Sequence, residues 1–256
     1  MDSKLEAFGR LLKIMDELRE QCPWDKAQTM ESLRHLTIEE VYELADAILA
    51  GDQEEVKKEL GDILLHIVFY SRIGSETKLF DIESVINQVC DKLIHRHPHI
   101  YGEVKVGNAE EVAKNWEQLK LKEGKKSVLE GVPKSLPSLI KSMRIQDKAR
   151  SAGFDWEQQE QVLDKVEEEL RELRAEIRSG QTNRIKAEFG DLMFSMVNLS
   201  RFLDVNPDEA LERTNGKFIA RFQYLENAAK EAGKNLRDMS LEEMDVFWNE
   251  AKAKGL

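Results

Sequence analysis

Paired acidic residues at helical spacing are the side chains of this sequence best suited to chemistry. The first half contains Glu40 and Glu43, three positions apart, followed by Glu59 and Asp62 at the same spacing. The second half contains an equivalent set, Glu169, Glu172, Glu188 and Asp191. Residues three apart share one face of a helix, so each pair presents two carboxylates in one direction. Carboxylate oxygens are preferred ligands of hard divalent cations, and the spacing therefore predicts an Mg²⁺ site in each half, with Mn²⁺ as an alternative.

The two acidic sets belong to an internal repeat. Residues 39–44 read EEVYEL, and residues 168–173 read EELREL, 129 positions later. Residues 59–62 recur at the same offset as residues 188–191. Further matches are Lys92 and Arg96 with Lys217 and Arg221, and Trp116 and Lys120 with Trp248 and Lys252. Matches in one order along both halves indicate a duplicated unit, so any chemistry of the acids is present twice.

A helical hairpin is the element that would bring each acidic set together. Gly51 suits the end of one helix and Asp52 the start of the next. Antiparallel pairing about residue 51 sets Glu43 opposite Glu59, and Gly180 plays the same part in the second half. Packed helices lie about 8–10 Å apart, so carboxylates from both helices can meet around one or two ions. The helices that follow the second acid pairs are apolar, which predicts that the acids are partly buried and repel one another.

A solvent-exposed helix face is the alternative explanation for the acids. A single Glu-x-x-Glu motif most often faces water. Two mirrored sets beside apolar helices favour a metal site instead. Glu39 and Glu168, which precede the first acid pairs, fit either an outer acidic position or a solvent-facing one.

Repeated basic and aromatic residues are candidates for binding phosphate and base. Lys217 and Arg221 are four apart on one helix face, and Arg suits bidentate contact with phosphate oxygens. Trp248 fits equally well in a core or stacked on a base. Lys252 carries the same ambiguity, and Arg184 is a weaker phosphate candidate. The first-half equivalents are Lys92, Arg96, Trp116 and Lys120.

Other metal chemistry fits the sequence less well. All five histidines lie before residue 100 and the second half has none, which disfavours a shared histidine-bound transition metal. A di-iron carboxylate bundle requires Glu-x-x-His motifs, whereas Asp62 and Asp191 occupy those positions. Glycine-rich phosphate loops are absent from the sequence. A non-catalytic helical scaffold or regulatory interaction protein is the remaining alternative.

Composition limits the fold and the partners. Of 256 residues 34 % are charged, and only 5 are Pro and 14 Gly, which predicts an all-α protein. The net charge of −11 argues against nucleic acid or an anionic membrane as partner. Two cysteines and the absence of an apolar leader predict a cytoplasmic protein. Glycine, proline and charged residues mark residues 121–137 as a linker between domains at 1–120 and 138–256.

The ordered set of motifs resembles the MazG family of nucleoside triphosphate pyrophosphohydrolases, in its long tandem form. The resemblance extends over nearly the whole chain and includes residues 22–25, which read CPWD, and residues 96–99, which read RHPH. It implies two tandem four-helix-bundle-like domains, a homodimer, and Mg²⁺-dependent conversion of nucleoside triphosphate to monophosphate and diphosphate. It also implies that the second domain carries most of the hydrolysis.

The resemblance leads to a mechanistic hypothesis for the second half. The four acids from Glu169 to Asp191 would hold magnesium, and Glu172 or Glu168 would orient or deprotonate a water that attacks the α-phosphorus. Lys217 and Arg221 would stabilise charge on the phosphate oxygens. A stacking tryptophan tolerates different bases, so broad base specificity and a role in nucleotide-pool housecleaning or level control are expected.

Overall fold

A computed structural model describes residues 2–108, 111–112, 115–116, 119 and 127–256. In these residues all regular secondary structure is helical, as the composition predicts. The chain divides into two compact units, residues 1–112 and residues 113–256. No helix in the described residues is long and apolar enough to cross a bilayer.

The first unit contains six described helices. They are α1 (Ser3–Gln21), α2 (Pro23–Ala27), α3 (Met30–Ala50), α4 (Gln53–Glu76), α5 (Ile82–Arg96) and α6 (Pro98–Tyr101). Helices α3 and α4 form the predicted hairpin. Gly51 ends α3 in the left-handed region with φ of 72°, and the Asp52 carboxylate accepts the backbone N–H groups of Glu54 and Glu55. The turn of the hairpin therefore lies where the sequence predicts it.

The core of the first unit lies between α1, α3 and α4. Its buried members are Met15 of α1, Leu33 of α3, and Val68, Phe69 and Ile73 of α4. The three members on α4 follow Asp62 along the helix. The burial of apolar surface, worth about 25 cal/mol per Å², thus holds the hairpin against α1.

The second unit contains five described α-helices and a 3₁₀ turn at Leu236–Asp238. The helices are α7 (Ser138–Ser151), α8 (Gln159–Ser179), α9 (Thr182–Phe202), α10 (Pro207–Glu231) and α11 (Leu241–Ala253). Helices α8 and α9 form the second predicted hairpin, with Gly180 at φ of 70°. Helix α7 packs across α9, and α11 packs along α10. Buried apolar residues of the unit are Val162, Leu173, Val197, Leu225, Ala229 and Ala251.

The described part of the predicted linker contacts the second unit. Lys148 of α7 is buried and donates a hydrogen bond from Nζ to the Val128 carbonyl at 2.9 Å. Leu129 lines a cavity beside α7 and α9. Residues 120–126 lie outside the described residues, so the exact domain limits stay a prediction.

Candidate active site

Three carboxylates converge across the hairpin of the first unit. Glu40 and Glu43 of α3 and Glu59 of α4 each place an oxygen within 4.8 Å of the others. Glu59 is only 2 % exposed, and its Oε1 accepts a hydrogen bond from Lys58 Nζ at 2.9 Å. Its buried Oε2 has no hydrogen-bond partner among the described residues. A buried carboxylate oxygen without a partner is costly, so this arrangement suits a cation.

Charge crowding alters the protonation of the first cluster. Burial raises the pKa of Glu40, and the negative charges of Asp62 and Glu43 add to the effect. The hydrogen bond from Lys58 lowers the pKa of Glu59. A divalent cation would relieve the repulsion that Lys58 leaves uncompensated.

The second unit repeats this arrangement across its own hairpin. Glu169 and Glu172 of α8 and Glu188 of α9 place oxygens within 4.8 Å of one another. Glu169 is buried, and its Oε1 lies 2.6 Å from Lys165 Nζ. Lys165 Nζ also donates to Glu168 Oε1 at 2.9 Å. One lysine therefore holds both the buried acid and its outer neighbour.

Glu188 is the member of the second cluster whose pKa is raised. Burial raises its pKa, and the neighbouring charges of Glu172, Asp191 and Glu169 raise it further. A carboxyl group in this position binds a proton more readily than usual, or gains from a cation. The donor set of several carboxylate oxygens fits Mg²⁺ or Mn²⁺.

The fourth acid of each predicted set lies next to its cluster. Asp62 and Asp191 are outside the groups of oxygens that fall within 4.8 Å of one another. Both are close enough to raise the pKa of a cluster member, Glu40 in the first unit and Glu188 in the second. Asp191 also lines a cavity of the second unit.

A cavity of about 600 Å³ adjoins the acids of the second unit. The charged residues Lys165, Glu169 and Asp191 line the cavity on the side of the cluster. Its apolar walls are Leu129, Ile145, Ala149, Phe154, Trp156 and Phe194. Its other polar residues are Gln146, Asp155, Ser195, Asn198 and Arg201. A space of this size, apolar with a few polar groups, is typical of a small-molecule site.

Arg201 fixes the loop that carries Trp156 at this cavity. Its guanidinium makes two hydrogen bonds with the Asp155 carboxylate, one of 2.8 Å to Oδ2 and one to Oδ1. It also donates to Asn198 Oδ1 at 2.8 Å and lies 4.6 Å from the centre of the Phe202 ring. Bidentate pairing of this kind sets both distance and orientation.

The predicted phosphate- and base-binding residues of the second half lie on α10 and α11. Arg221 Nε donates to the Leu256 carbonyl at 2.7 Å, and its guanidinium lies 5.8 Å from the Trp248 ring centre. The Trp248 ring also contacts Phe218 at 5.1 Å between centres. None of these contacts joins Arg221 or Trp248 to the acidic cluster in the described residues. Lys217 and Lys252 are exposed on the same two helices.

The other predicted binding residues are more dispersed. Arg184 Nη1 lies 3.7 Å from Glu176 Oε1 near the turn of the second hairpin. In the first half, Lys92 and Arg96 lie on α5 and Trp116 is half-buried. Lys120 lies outside the described residues. The role of each as a nucleotide ligand stays a prediction.

The structure adds site residues that the sequence interpretation did not select. Lys165 precedes Glu169 by four positions, a spacing that places both on one helix face and could have revealed the pair. Gln146 and Asn198 have no comparable signal. They come together only because α7 packs across α9.

Two segments of the chain match one protein domain. Residues 28–101 and residues 157–225 both match the MazG nucleotide pyrophosphohydrolase domain. The chain belongs to the MazG family. The tandem all-α organisation and the family resemblance predicted from the sequence are thereby confirmed.

Full-length relatives agree with this assignment. The chain is 42 % identical over 250 residues to the nucleoside triphosphate pyrophosphohydrolase/pyrophosphatase MazG of Thermotoga maritima, covering 96 % of this chain and 95 % of that protein. It is 38 % identical over 257 residues to the nucleoside triphosphate pyrophosphohydrolase of Escherichia coli, covering 97 % and 98 % respectively. Both relatives are named as enzymes. Both acidic clusters of this chain fall inside the two segments that match the MazG domain.

Proposed function

We propose that this MazG protein hydrolyses nucleoside triphosphates to nucleoside monophosphates and diphosphate with Mg²⁺ as cofactor. The observation that carries the proposal is the carboxylate cluster of the second unit, which borders a cavity with aromatic walls. A planar base stacks favourably on aromatic side chains, with about 1–3 kcal/mol gained per stacked base. The two relatives are named for the same activity.

The metal would be held by Glu169, Glu172 and Glu188, with Asp191 beside them. Three carboxylate oxygens within 4.8 Å and a raised pKa at Glu188 support this assignment. When bound, Mg²⁺ supplies a positive charge that polarises the phosphate and offsets its negative charge. Mn²⁺ has similar ligand preferences and would be an alternative.

The carboxylates would also manage the proton of the attacking water. Glu172 is the exposed member of the cluster and can accept a proton from solvent-derived water. Glu168 is the second candidate, held in place by Lys165. The water oxygen forms a bond to the α-phosphorus while the bond from that phosphorus to the bridging oxygen breaks. The proton passes to the carboxylate, and diphosphate leaves with the bridging oxygen.

Cations of α10 would bind the phosphate oxygens. Lys217 is exposed, and Arg221 donates from Nε alone to the Leu256 carbonyl among the hydrogen bonds between described residues. Its two Nη groups therefore keep their donors for a bidentate contact with phosphate. Trp248 lies beside Arg221 and outside the lining of the cavity, so it would be an alternative stacking surface for the base.

A homodimer would cover apolar side chains exposed next to the acids. Ile177 of α8 is 57 % exposed and Phe189 of α9 is 56 % exposed. We infer that these two apolar side chains lie in the contact between subunits. Light scattering tests this part of the proposal, and a mass equal to one chain of 29.5 kDa would contradict it.

The reaction is tested with a panel of eight ribo- and deoxynucleoside triphosphates and Mg²⁺. We expect diphosphate as first product with every base, since aromatic walls stack on purines and pyrimidines alike. We expect Asp191→Ala to abolish its release. Asp164→Ala, which removes an exposed acid from α8, is the matched control and should retain activity. Orthophosphate as first product would contradict attack at the α-phosphorus, and no product at all would favour a scaffold.

A further inference from the structure

Two buried side chains line the cavity, and each donates one hydrogen bond to a backbone carbonyl. Gln146 is 5 % exposed, and its Nε2 donates to the Phe194 carbonyl at 2.8 Å. Ser195 is 6 % exposed, and its hydroxyl lies 2.9 Å from the Leu192 carbonyl, which accepts the proton. Gln146 keeps a second N–H on Nε2, but the buried atom that lacks a partner is its oxygen, and the Ser195 oxygen can also accept a hydrogen bond.

The free oxygen of Gln146 points to a missing partner. Its Oε1 is buried and makes no hydrogen bond to any described residue. A buried amide oxygen without a donor is costly, and native structures rarely leave one without a reason. Gln146 donates to the carbonyl of the residue that precedes Ser195, and both side chains line the same cavity.

Asn198 supplies the complementary donor. Its Oδ1 accepts a hydrogen bond from Arg201, so the Nδ2 group is the part that can serve a ligand. Arg201 is itself held by Asp155, which keeps the amide of Asn198 in this orientation. The polar part of the wall thus offers acceptors from two residues and a donor from a third.

We propose that this wall recognises the amino edge of adenine and cytosine, and that the enzyme prefers these bases to their oxo counterparts. The inference rests on the proposed function. An exocyclic amino group has two N–H donors for Gln146 and Ser195, and the adjacent ring nitrogen accepts from Asn198. Uracil and hypoxanthine present a carbonyl oxygen in place of the amino group, and that oxygen would face the acceptor oxygens. The apolar walls tolerate either ring size, so discrimination depends on the edge of the base.

Minimal substrate pairs test this preference. CTP and UTP differ at the amino edge, as do ATP and ITP. We expect kcat/KM of the unmodified protein to be about tenfold higher for CTP than for UTP, and likewise for ATP over ITP, since a site built for an N–H group penalises its absence. Ratios near one in both pairs would overturn the inference.

Variants assign the preference to the wall. Ser195→Ala and Gln146→Leu should bring both ratios towards one through a loss with CTP and ATP. Ser195→Ala is the safer change for folding, because alanine favours a helix and the Leu192 carbonyl remains within α9. Ser200→Ala is the matched control, since its hydroxyl makes the same kind of bond to the Val197 carbonyl at 2.7 Å outside the cavity. It should keep both ratios.

The outcomes separate the two proposals. Unchanged ratios in Ser195→Ala and Gln146→Leu would overturn the role of this wall while leaving diphosphate release intact. Absence of diphosphate from all four nucleotides would overturn the proposed function, on which the inference rests.

Discussion

At the scale of single residues, the most informative feature is that the carboxylates of one cluster lie in different electrostatic environments. In the second unit Lys165 neutralises Glu169 at 2.6 Å, whereas Glu188 faces Glu172 and Asp191 with a raised pKa. A carboxyl group whose pKa is raised by folding opposes folding at every pH above its unfolded value of about 4.3. The repulsion at Glu188 lowers the stability of the folded protein, and a cation bound at the cluster would offset it.

Glu188→Gln therefore has opposite effects with and without metal. Without metal it should raise the melting temperature at pH 7, because it removes the repelled charge. At pH 4 both forms carry a neutral side chain for most of the time, so the gain should vanish. With Mg²⁺ the unmodified protein should gain stability and the variant should gain much less. Thermal unfolding of the unmodified protein and the variant, each with and without Mg²⁺ and at both pH values, measures these differences.

A matched control guards this interpretation. Glu167→Gln neutralises an exposed acid of α8 that is not in the cluster. It should leave the Mg²⁺ response unchanged. A Glu188→Gln variant with an unchanged Mg²⁺ response would show that this carboxylate does not hold the ion.

At the scale of elements, the hairpin turn decides whether the acids face each other. Gly51 and Gly180 end their helices at φ of 72° and 70°, a region that residues with a Cβ atom rarely adopt. In neither case would a Cβ atom meet another atom within 4 Å. The requirement for glycine is therefore one of backbone conformation and not of space.

Gly180→Ala should destabilise the second unit by about 1 kcal/mol, because alanine is strained in the left-handed region. Gly216→Ala should do the opposite and stabilise by roughly 0.5–1 kcal/mol, since Gly216 lies within α10 and a Cβ atom there meets nothing within 4 Å. Denaturant unfolding of both variants measures the difference. Equal effects of one sign would contradict the backbone explanation.

The same contrast shows what the sequence could and could not predict. The hairpins were readable because Gly51, Asp52 and Gly180 act through local conformation and capping. The facing of Glu43 and Glu59 followed from antiparallel geometry alone. The cavity was not readable, because Gln146 reaches the Phe194 carbonyl across 48 positions of sequence. Contacts of that kind depend on how α7 packs on α9, and no periodicity in the chain encodes it.

At the scale of the whole molecule, the two halves of the duplication have diverged beside their acids. At the offset of 129 residues, His66 stands where the second half has Ser195, and Phe69 stands where it has Asn198. His66 and Phe69 are both buried, and Phe69 belongs to the core of the first unit. Two of the polar residues that line the cavity of the second unit thus correspond to buried aromatic rings in the first unit.

This divergence predicts unequal catalysis by two equivalent acidic clusters. Glu172→Gln should lower kcat/KM for nucleoside triphosphate by about a hundredfold or more, as expected for loss of a catalytic carboxylate. Glu43→Gln changes the matching acid of the first unit and should retain most of the activity, because His66 and Phe69 replace Ser195 and Asn198 in that unit. Steady-state diphosphate release from both variants, with helical content checked by circular dichroism, measures the difference. Equal losses would mean that both halves turn over nucleotide, and the replacement of Ser195 and Asn198 by His66 and Phe69 would then have no bearing on activity.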